Sequence, residues 1–208
     1  MKTLIFVDRD GTLTFDKKYH LGRQKNWKSL IKFLPYTIQG LKVLNKIPNS
    51  RVYVVTNQPG VAVKDFPLLT LKRAHQVNKY VMSLIKKKGI KLYGYEVCEK
   101  AHPKYTKKRS EFNFDKKLVG DFPCIKPKPG MINSILKKEK LKKSDVKIYL
   151  IGDRISDVKS AINAKGFGIL VPFKGEPYDK KAMKKIKNSY VAKNFLDAAK
   201  FITKNYKA

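Results

Sequence analysis

Phe6-Val7-Asp8-Arg9-Asp10-Gly11-Thr12-Leu13-Thr14 is the stretch on which the fold turns. The apolar run Leu4 to Val7 has the length of a buried strand and breaks abruptly into two aspartates one residue apart. Gly11 follows and lets the backbone turn sharply where the strand ends. Asp8 and Asp10 then leave the strand on the same side, so two carboxylates meet at one point. Like charges held that close need a cation, a shared proton, or both. A lone Asp-x-Asp more often caps a turn, so the rest of the chain has to decide.

At 208 residues the chain suits one sizeable α/β domain with a continuous core. No apolar run approaches membrane-spanning length, and no leader with a cleavage site precedes the first strand, so a soluble cytoplasmic protein is expected. Two cysteines, Cys98 and Cys124, are too few for a disulfide scaffold and suit a reducing compartment. The charge is unusual: 47 Lys plus Arg against 16 Asp plus Glu, formally +31. Such a field draws anions, from phosphorylated metabolites to nucleic acids. The lysines are scattered over nearly every polar stretch, which reads as a solvated surface rather than a dedicated nucleic-acid track.

Strand-like and helix-like runs alternate, the pattern of a doubly wound parallel sheet with helices on both faces. Expected strands are Leu4 to Val7, Arg51 to Val55, Leu92 to Val97, Lys147 to Ile151 and Gly168 to Val171. Expected helices are Tyr36 to about Lys46, Leu68 to Lys88, one launched by Pro127-Lys128-Pro129-Gly130, Ser156 to Ala164, and Phe195 to about Lys204. Phe15 to Lys32 reads as a loop or flap. A basic stretch from about 98 to 125 has little periodicity and is too long for an ordinary connection, so it reads as a loop insertion. No repeat or linker divides the chain, and 1–208 is taken as one domain.

Four polar clusters stand at the ends of expected strands or the start of a helix: Asp8/Asp10, Thr56/Asn57, Lys126 and Asp153/Asp157. In open α/β sheets that edge is where ligands bind. Singly, each has a plain structural role as turn former, surface lysine or helix cap. In this order they resemble the four motifs of the haloacid dehalogenase (HAD) superfamily of aspartate-nucleophile phosphatases. The motifs are Asp8-Arg9-Asp10-Gly11-Thr12, Val55-Thr56-Asn57-Gln58, Lys126-Pro127-Lys128-Pro129-Gly130 and Gly152-Asp153-Arg154-Ile155-Ser156-Asp157. Their wording is similar to the capless branch, which contains the heptose-1,7-bisphosphate and histidinol-phosphate phosphatases. The resemblance implies a Rossmann-like HAD core. About 40 residues between the first two motifs leave no room for a separate cap domain.

The resemblance also implies roles. Asp8 would be the nucleophile, forming an aspartyl-phosphate. Asp10 would protonate the leaving alcohol and then deprotonate the attacking water, which asks for a pKa above an ordinary aspartate's. Mg²⁺ would sit between the Asp8 carboxylate, the Asp10 backbone carbonyl and Asp153. Thr56, Asn57 and Arg154 would bind the substrate, Lys126 would offset negative charge, and Asp157 would orient Lys126 or a metal-bound water. Lys128 is the rival for the lysine role, and the family spacing favours Lys126.

Two departures stand out. Heptose-bisphosphate phosphatases carry a zinc loop with a Cys-x-His pair and a later Cys-x-Cys. Here only Cys98, His102 and Cys124 are available, with Phe122 in place of a ligand, and a structural zinc normally takes four. A residual zinc site is weighed against two unpaired thiols and a surface histidine. The branch's arginine before the motif lysine is here Ile125, which unsettles the substrate. His20 in the flap is a weak candidate for substrate contact; His75 and Trp27 read as helix and packing residues. The leading function is a Mg²⁺-dependent phosphomonoesterase acting on a small sugar or amino-alcohol phosphate, with heptose 1,7-bisphosphate as the specific guess. A nucleic-acid 3′-phosphatase is the alternative, disfavoured because no stacking platform of aromatics is evident. A non-catalytic binding protein on the same fold is the third, and retention of Asp8, Asp10, Lys126 and Asp153 speaks against it. Oligomeric state is not legible.

Overall fold

In the computed structural model, residues 1–15, 21–174 and 177–206 are described. Among them six parallel strands form one sheet, β1 (Lys2–Val7), β2 (Ser50–Asn57), β3 (Gly94–Cys98), β4 (Val146–Gly152), β5 (Phe167–Leu170) and β6 (Ser189–Val191). Their order is β3-β2-β1-β4-β5-β6. Helices are α1 (Thr37–Asn45), α2 (Leu71–Lys86), α3 (Pro103–Lys108), α4 (Gly130–Lys138), α5 (Ile155–Asn163), α6 (Lys180–Lys184) and α7 (Phe195–Tyr206). This is the expected doubly wound sheet, with no separate cap domain among the described residues.

The central strands are apolar at nearly every position because both faces of a parallel sheet are covered. Successive side chains alternate between those faces. Ile5, Val7, Val52, Val54 and Ile151 pack with Leu41 and Leu44 of α1, Val77 and Val81 of α2 and Ala198 and Ile202 of α7. Leu4, Phe6, Val55, Ile148 and Leu150 pack on the other face with Ile132 and Ile135 of α4 and Ala161 of α5. β1 lies between β2 and β4, with Val7 opposite Val54 and Ile151. The winding direction reverses at β1 and β4, and a crevice opens there at the carboxyl ends of the strands.

Several expectations need correction. β6 and α6 were not foreseen; β6 has three residues and α6 five, too short to show a period. The stretch 98–125, expected as a loop, contains α3 and a 3-10 turn at Lys116–Leu118. Pro103 sits in the first turn of α3, where its missing N–H costs nothing, and His102 Nδ1 accepts from Lys104 N at 3.1 Å. The insertion is fastened by isolated bridges Ala101 to Val119 and Val63 to Phe114. Asn113 N adds a hydrogen bond to Asp65 Oδ2 at 2.6 Å. The flap region carries a 3-10 turn, Trp27–Leu30, with Trp27 buried.

Cys98, at the end of β3, is joined to Cys124 by a disulfide with Cα atoms 5.5 Å apart. The pair was expected as free thiols or zinc ligands. Instead the fold brings two residues 26 apart in sequence to bonding distance. Closing a loop of that length restricts the unfolded chain by about 3 kcal/mol. A reductant should therefore lower the thermal midpoint by roughly 6–12 °C for a chain of this size. Equal midpoints with and without reductant would show that the sulfurs are not joined.

Candidate active site

Asp8 is the first residue beyond β1, and its N–H donates to Ile151 O of β4 at 2.9 Å. That bond carries the β1–β4 pairing one residue past the strand and brings Asp8 level with the end of β4, where Asp153 follows Gly152. Gly11, at φ +86°, closes the turn after Asp10, and a Cβ there would overlap the Asp153 carboxylate. Only glycine supplies both that conformation and that closeness. Gly152 is similarly crowded, since a Cβ would overlap Asp157 in the first turn of α5.

Lys126 enters from the segment before α4 and is held by its backbone N–H, which donates to Asn57 Oδ1 at 3.3 Å. Its Nζ donates to Asp8 Oδ1 at 2.5 Å, Asp157 Oδ1 at 2.5 Å and Val55 O at 3.1 Å. All three ionic side chains are buried. Asp157 Oδ2 accepts from Arg154 N at 3.1 Å, which fixes the carboxylate toward Lys126. Lys128, the rival lysine, is partly exposed and pairs with Asp121 at 2.7 Å. The structure therefore assigns the inward position to Lys126.

Asp153 is 1% exposed. Thr12 Oγ1 donates weakly to its Oδ1 at 3.5 Å, and its Oδ2 has no partner. Burial, and then the charges of Asp8 and Asp157, push its pKa up to about 8. Asp8 is raised to about 6, chiefly by burial, with Lys126 opposing and Asp157 adding to the shift. Burial alone would lower the Lys126 pKa, but Asp157 and Asp8 outweigh it and keep the ammonium protonated. One lysine faces three buried carboxylates, and one carboxylate oxygen is orphaned. That is the electrostatics of a site short of a cation.

Two carboxylates and a backbone carbonyl are what a magnesium ion takes from a protein when water completes its shell. Asp8, Asp153 and the Asp10 carbonyl fit that description, and Asp153 Oδ2 supplies an unused ligand. A zinc centre does not fit. The sulfurs of Cys98 and Cys124 are bonded to each other, and His102 caps α3 with its Nε2 3.6 Å from Asp121. Among the described residues no three His, Cys, Asp or Glu side chains assemble into a metal cluster.

Asp10 departs from expectation. Burial would raise its pKa, but Arg9 holds the carboxyl below the ordinary aspartate range. Arg9 donates through Nε at 2.8 Å to Oδ1 and through Nη2 at 2.6 Å to Oδ2. Gln58 Nε2 donates at 2.7 Å and Thr14 Oγ1 at 3.2 Å. A fork of charge-assisted bonds favours the ionised carboxylate over the proton that a neighbouring acid would share. Arg9, wholly buried, is the residue that sequence reasoning passed over. Its position inside the Asp-Arg-Asp turn was the available signal.

Asp8, Asp10, Thr56, Asn57, Lys126, Arg154 and Asp157 line one cavity of about 650 Å³, while Asp153 is buried and does not line it. Lysines of the insertion form another wall of the cavity. His75 is turned to Tyr95 Oη at 3.1 Å, and Trp27 packs edge-on against Tyr80. His20 lies outside the described residues. No helix among the described residues is long and apolar enough to cross a membrane.

Comparison with known proteins bears on this arrangement. A family model described as HAD-hydrolase-like matches residues 123–198. D-glycero-beta-D-manno-heptose-1,7-bisphosphate 7-phosphatase of Haemophilus influenzae is 30% identical over 165 residues, covering 79% of this chain and 78% of that protein. The histidine biosynthesis bifunctional protein HisB of Buchnera aphidicola is 31% identical over 166 residues, 80% of this chain. The chain spans only 40% of the length of that relative. Among solved structures, D,D-heptose 1,7-bisphosphate phosphatase from B. bronchiseptica, complexed with magnesium and phosphate, shares the fold. It has a TM-score of 0.73 and 19% identity, with 99% of both chains covered.

Two predictions follow from the charge balance. Asp153→Asn should raise the midpoint of the metal-free protein, because it removes a buried charge without a partner. The cost of that charge begins as pH rises past the unfolded carboxyl's value near 4 and is complete above about 8. The gain should therefore be largest at alkaline pH and vanish in acid, and a loss of stability at pH 8 would contradict it. Mg²⁺ should raise the wild-type midpoint but not that of the variant. Its affinity by calorimetry should fall as pH drops from about 8 toward about 6, where Asp153 and Asp8 take up protons.

Proposed function

The chain belongs to the haloacid dehalogenase (HAD) superfamily, and from that premise we propose that it is a Mg²⁺-dependent phosphomonoesterase acting through an aspartyl-phosphate on a small phosphorylated sugar. The observation that carries the reading is the buried Lys126 bridge between Asp8 and Asp157, which line the cavity, together with the orphaned oxygen of the buried Asp153. The substrate assignment to a heptose 1,7-bisphosphate draws on the relatives; the cavity volume suits a small ligand. Residues 1–208 would act as one domain.

Asp8 Oδ1 is held by Lys126, and its Oδ2 accepts no hydrogen bond among the described residues. Oδ2 is thus the oxygen available to attack phosphorus. As it bonds, the ester P–O bond breaks and the leaving oxygen takes a proton from Asp10 in its protonated form, which leaves Asp10 ionised. Lys126 holds its positive charge against the Asp8–phosphoryl group throughout, and Asp157 keeps it aimed. Thr56 and Asn57 at the end of β2 contribute donors to the phosphoryl oxygens, with Arg154 beside them. Bound between Asp8, the Asp10 carbonyl and Asp153, Mg²⁺ would neutralise charge on the phosphoryl oxygens.

Asp10 is held ionised by Arg9 and Gln58 and so stands in the state of a base. It can take the proton of the water that attacks phosphorus and frees Asp8. Its role as acid in the first half requires the proton to arrive as the Arg9 fork loosens. Cytoplasmic location belongs to the same reading, and the Cys98–Cys124 disulfide is the observation that weighs against it.

Asp8→Asn should lower turnover of p-nitrophenyl phosphate with Mg²⁺ by at least about a thousandfold, the scale of losing a covalent nucleophile. An unchanged rate would refute the assignment. A 3′-phosphorylated oligonucleotide should be a poor substrate beside a sugar phosphate; the reverse order would move the reading to nucleic acid.

A further inference from the structure

We propose that the groove between α2 and the 3-10 turn Trp27–Leu30 binds a single strand of RNA or DNA through its phosphates, without reading its bases. The site is separate from the catalytic cavity and does not depend on the phosphatase reading. The groove has a volume of about 810 Å³ and shares no lining residue with the cavity of Asp8. Four cations line it, Lys25 and Lys28 at the turn and Arg73 and Lys79 on α2. None of the four has a carboxylate within 4 Å among the described residues.

Unpaired lysines are common on a chain of net charge +31, but here they are gathered in a region almost without acid. From Leu21 to Tyr95 the only acidic residue is Asp65. Its carboxylate accepts from the backbone N–H and the side-chain amide of Asn113 in the insertion. The segments that build the groove therefore bring no free countercharge of their own. In a concave space the summed field is focused, and an anion is held more strongly than on an open surface.

Trp27 holds the turn against α2. Its ring is 5% exposed and stands edge-on to Tyr80 with centroids 5.6 Å apart. Lys28 Nζ lies 5.8 Å from the Trp27 ring and 5.4 Å from the Tyr80 ring, and the Arg73 guanidinium lies 5.7 Å from Trp27. Attraction to the rings keeps these charged heads at the groove. Trp27, buried and engaged in this way, offers no open face for a base to stack on. Asn26, Ser29, Gln76 and Tyr80 complete the lining, and such side chains contact phosphate and sugar in nucleic-acid complexes.

The charges are spread out. Arg73 and Lys79 are six residues apart, about 9 Å along the helix axis, which suits a chain of phosphates better than one compact anion. A bilayer surface is too flat to enter such a groove. An acidic peptide is the competing occupant, but no aliphatic residue lines the groove to receive one of its side chains.

The test is equilibrium binding of a fluorescein-labelled oligothymidylate, lacking a terminal phosphate, to the whole chain over a range of salt concentrations. Lys25→Ala/Lys28→Ala/Lys79→Ala should weaken binding about tenfold or more in 0.1 M salt. It should also make the slope of log K against log salt shallower by about 2, the share of three phosphate contacts on a single strand. Lys25→Arg/Lys28→Arg/Lys79→Arg should bind as wild type does. Lys180→Ala/Lys181→Ala/Lys184→Ala on α6 removes the same charge and should change affinity by less than about twofold. Equal weakening by the α6 variant would show a diffuse field and overturn the proposal. So would wild-type affinity in the groove alanine variant, or its loss in the arginine variant. Polyglutamate or phosphatidylserine vesicles that bind more tightly than the oligonucleotide, and lose that binding in the groove alanine variant, would overturn the assignment to nucleic acid.

Discussion

One buried ammonium group, Lys126 Nζ, lies between Asp8 and Asp157 with 2.5 Å to each. Two carboxylates brought this close out of water would repel and lose hydration, and a cation between them offsets both costs. The ammonium fixes the distance from β1 to α5 and therefore the place of everything attached to those elements. It does not reach Asp153, whose Oδ2 is left without a partner. The fold thus holds together with one positive charge fewer than the cluster needs for all its carboxylates to be ionised. A cation bound at Asp153, as proposed above, would make up that shortage.

The sheet makes the arrangement available. Because β1 neighbours both β2 and β4, residues from three strand ends and two helix starts converge on one crevice. Within it the aspartates are driven apart in acidity. Asp8 is raised by burial and by Asp157, and Asp153 by burial and by Asp8 and Asp157, while Asp10 is lowered by the Arg9 fork. Carboxyl groups of one kind can divide a reaction only if their surroundings distinguish them in this way. The insertion then closes the side of the crevice, fastened at its base by Cys98–Cys124 just ahead of Lys126.

Much of this was legible in the chain. Leu4 to Val7 and Lys147 to Ile151 read as buried strands, and the acidic residues at their ends marked the ligand edge. The resemblance to the family's motif favoured Lys126 over Lys128, and the structure gives the reason: one points inward and the other pairs with Asp121. What could not be read depended on distant partners. The disulfide exists because β3 ends opposite the segment before α4, a fact of topology rather than composition. The acidity of Asp10 was misjudged because Arg9 was read as part of a motif rather than as a side chain folding back on its neighbour. α3 announced itself only through Pro103 after a capping His102, a signal too short to stand against the surrounding aperiodic lysines.

The central claim is that Asp8, released by its surroundings to act through one oxygen, bonds to phosphorus. The most direct measurement is a single turnover with protein in excess over a phosphate ester and Mg²⁺, quenched in acid and mapped by peptide mass. A phosphoryl adduct on the peptide containing Asp8, rising and decaying within the turnover and absent from Asp8→Asn, is the predicted result. Complete turnover with no adduct, or an adduct on another residue, would contradict the account.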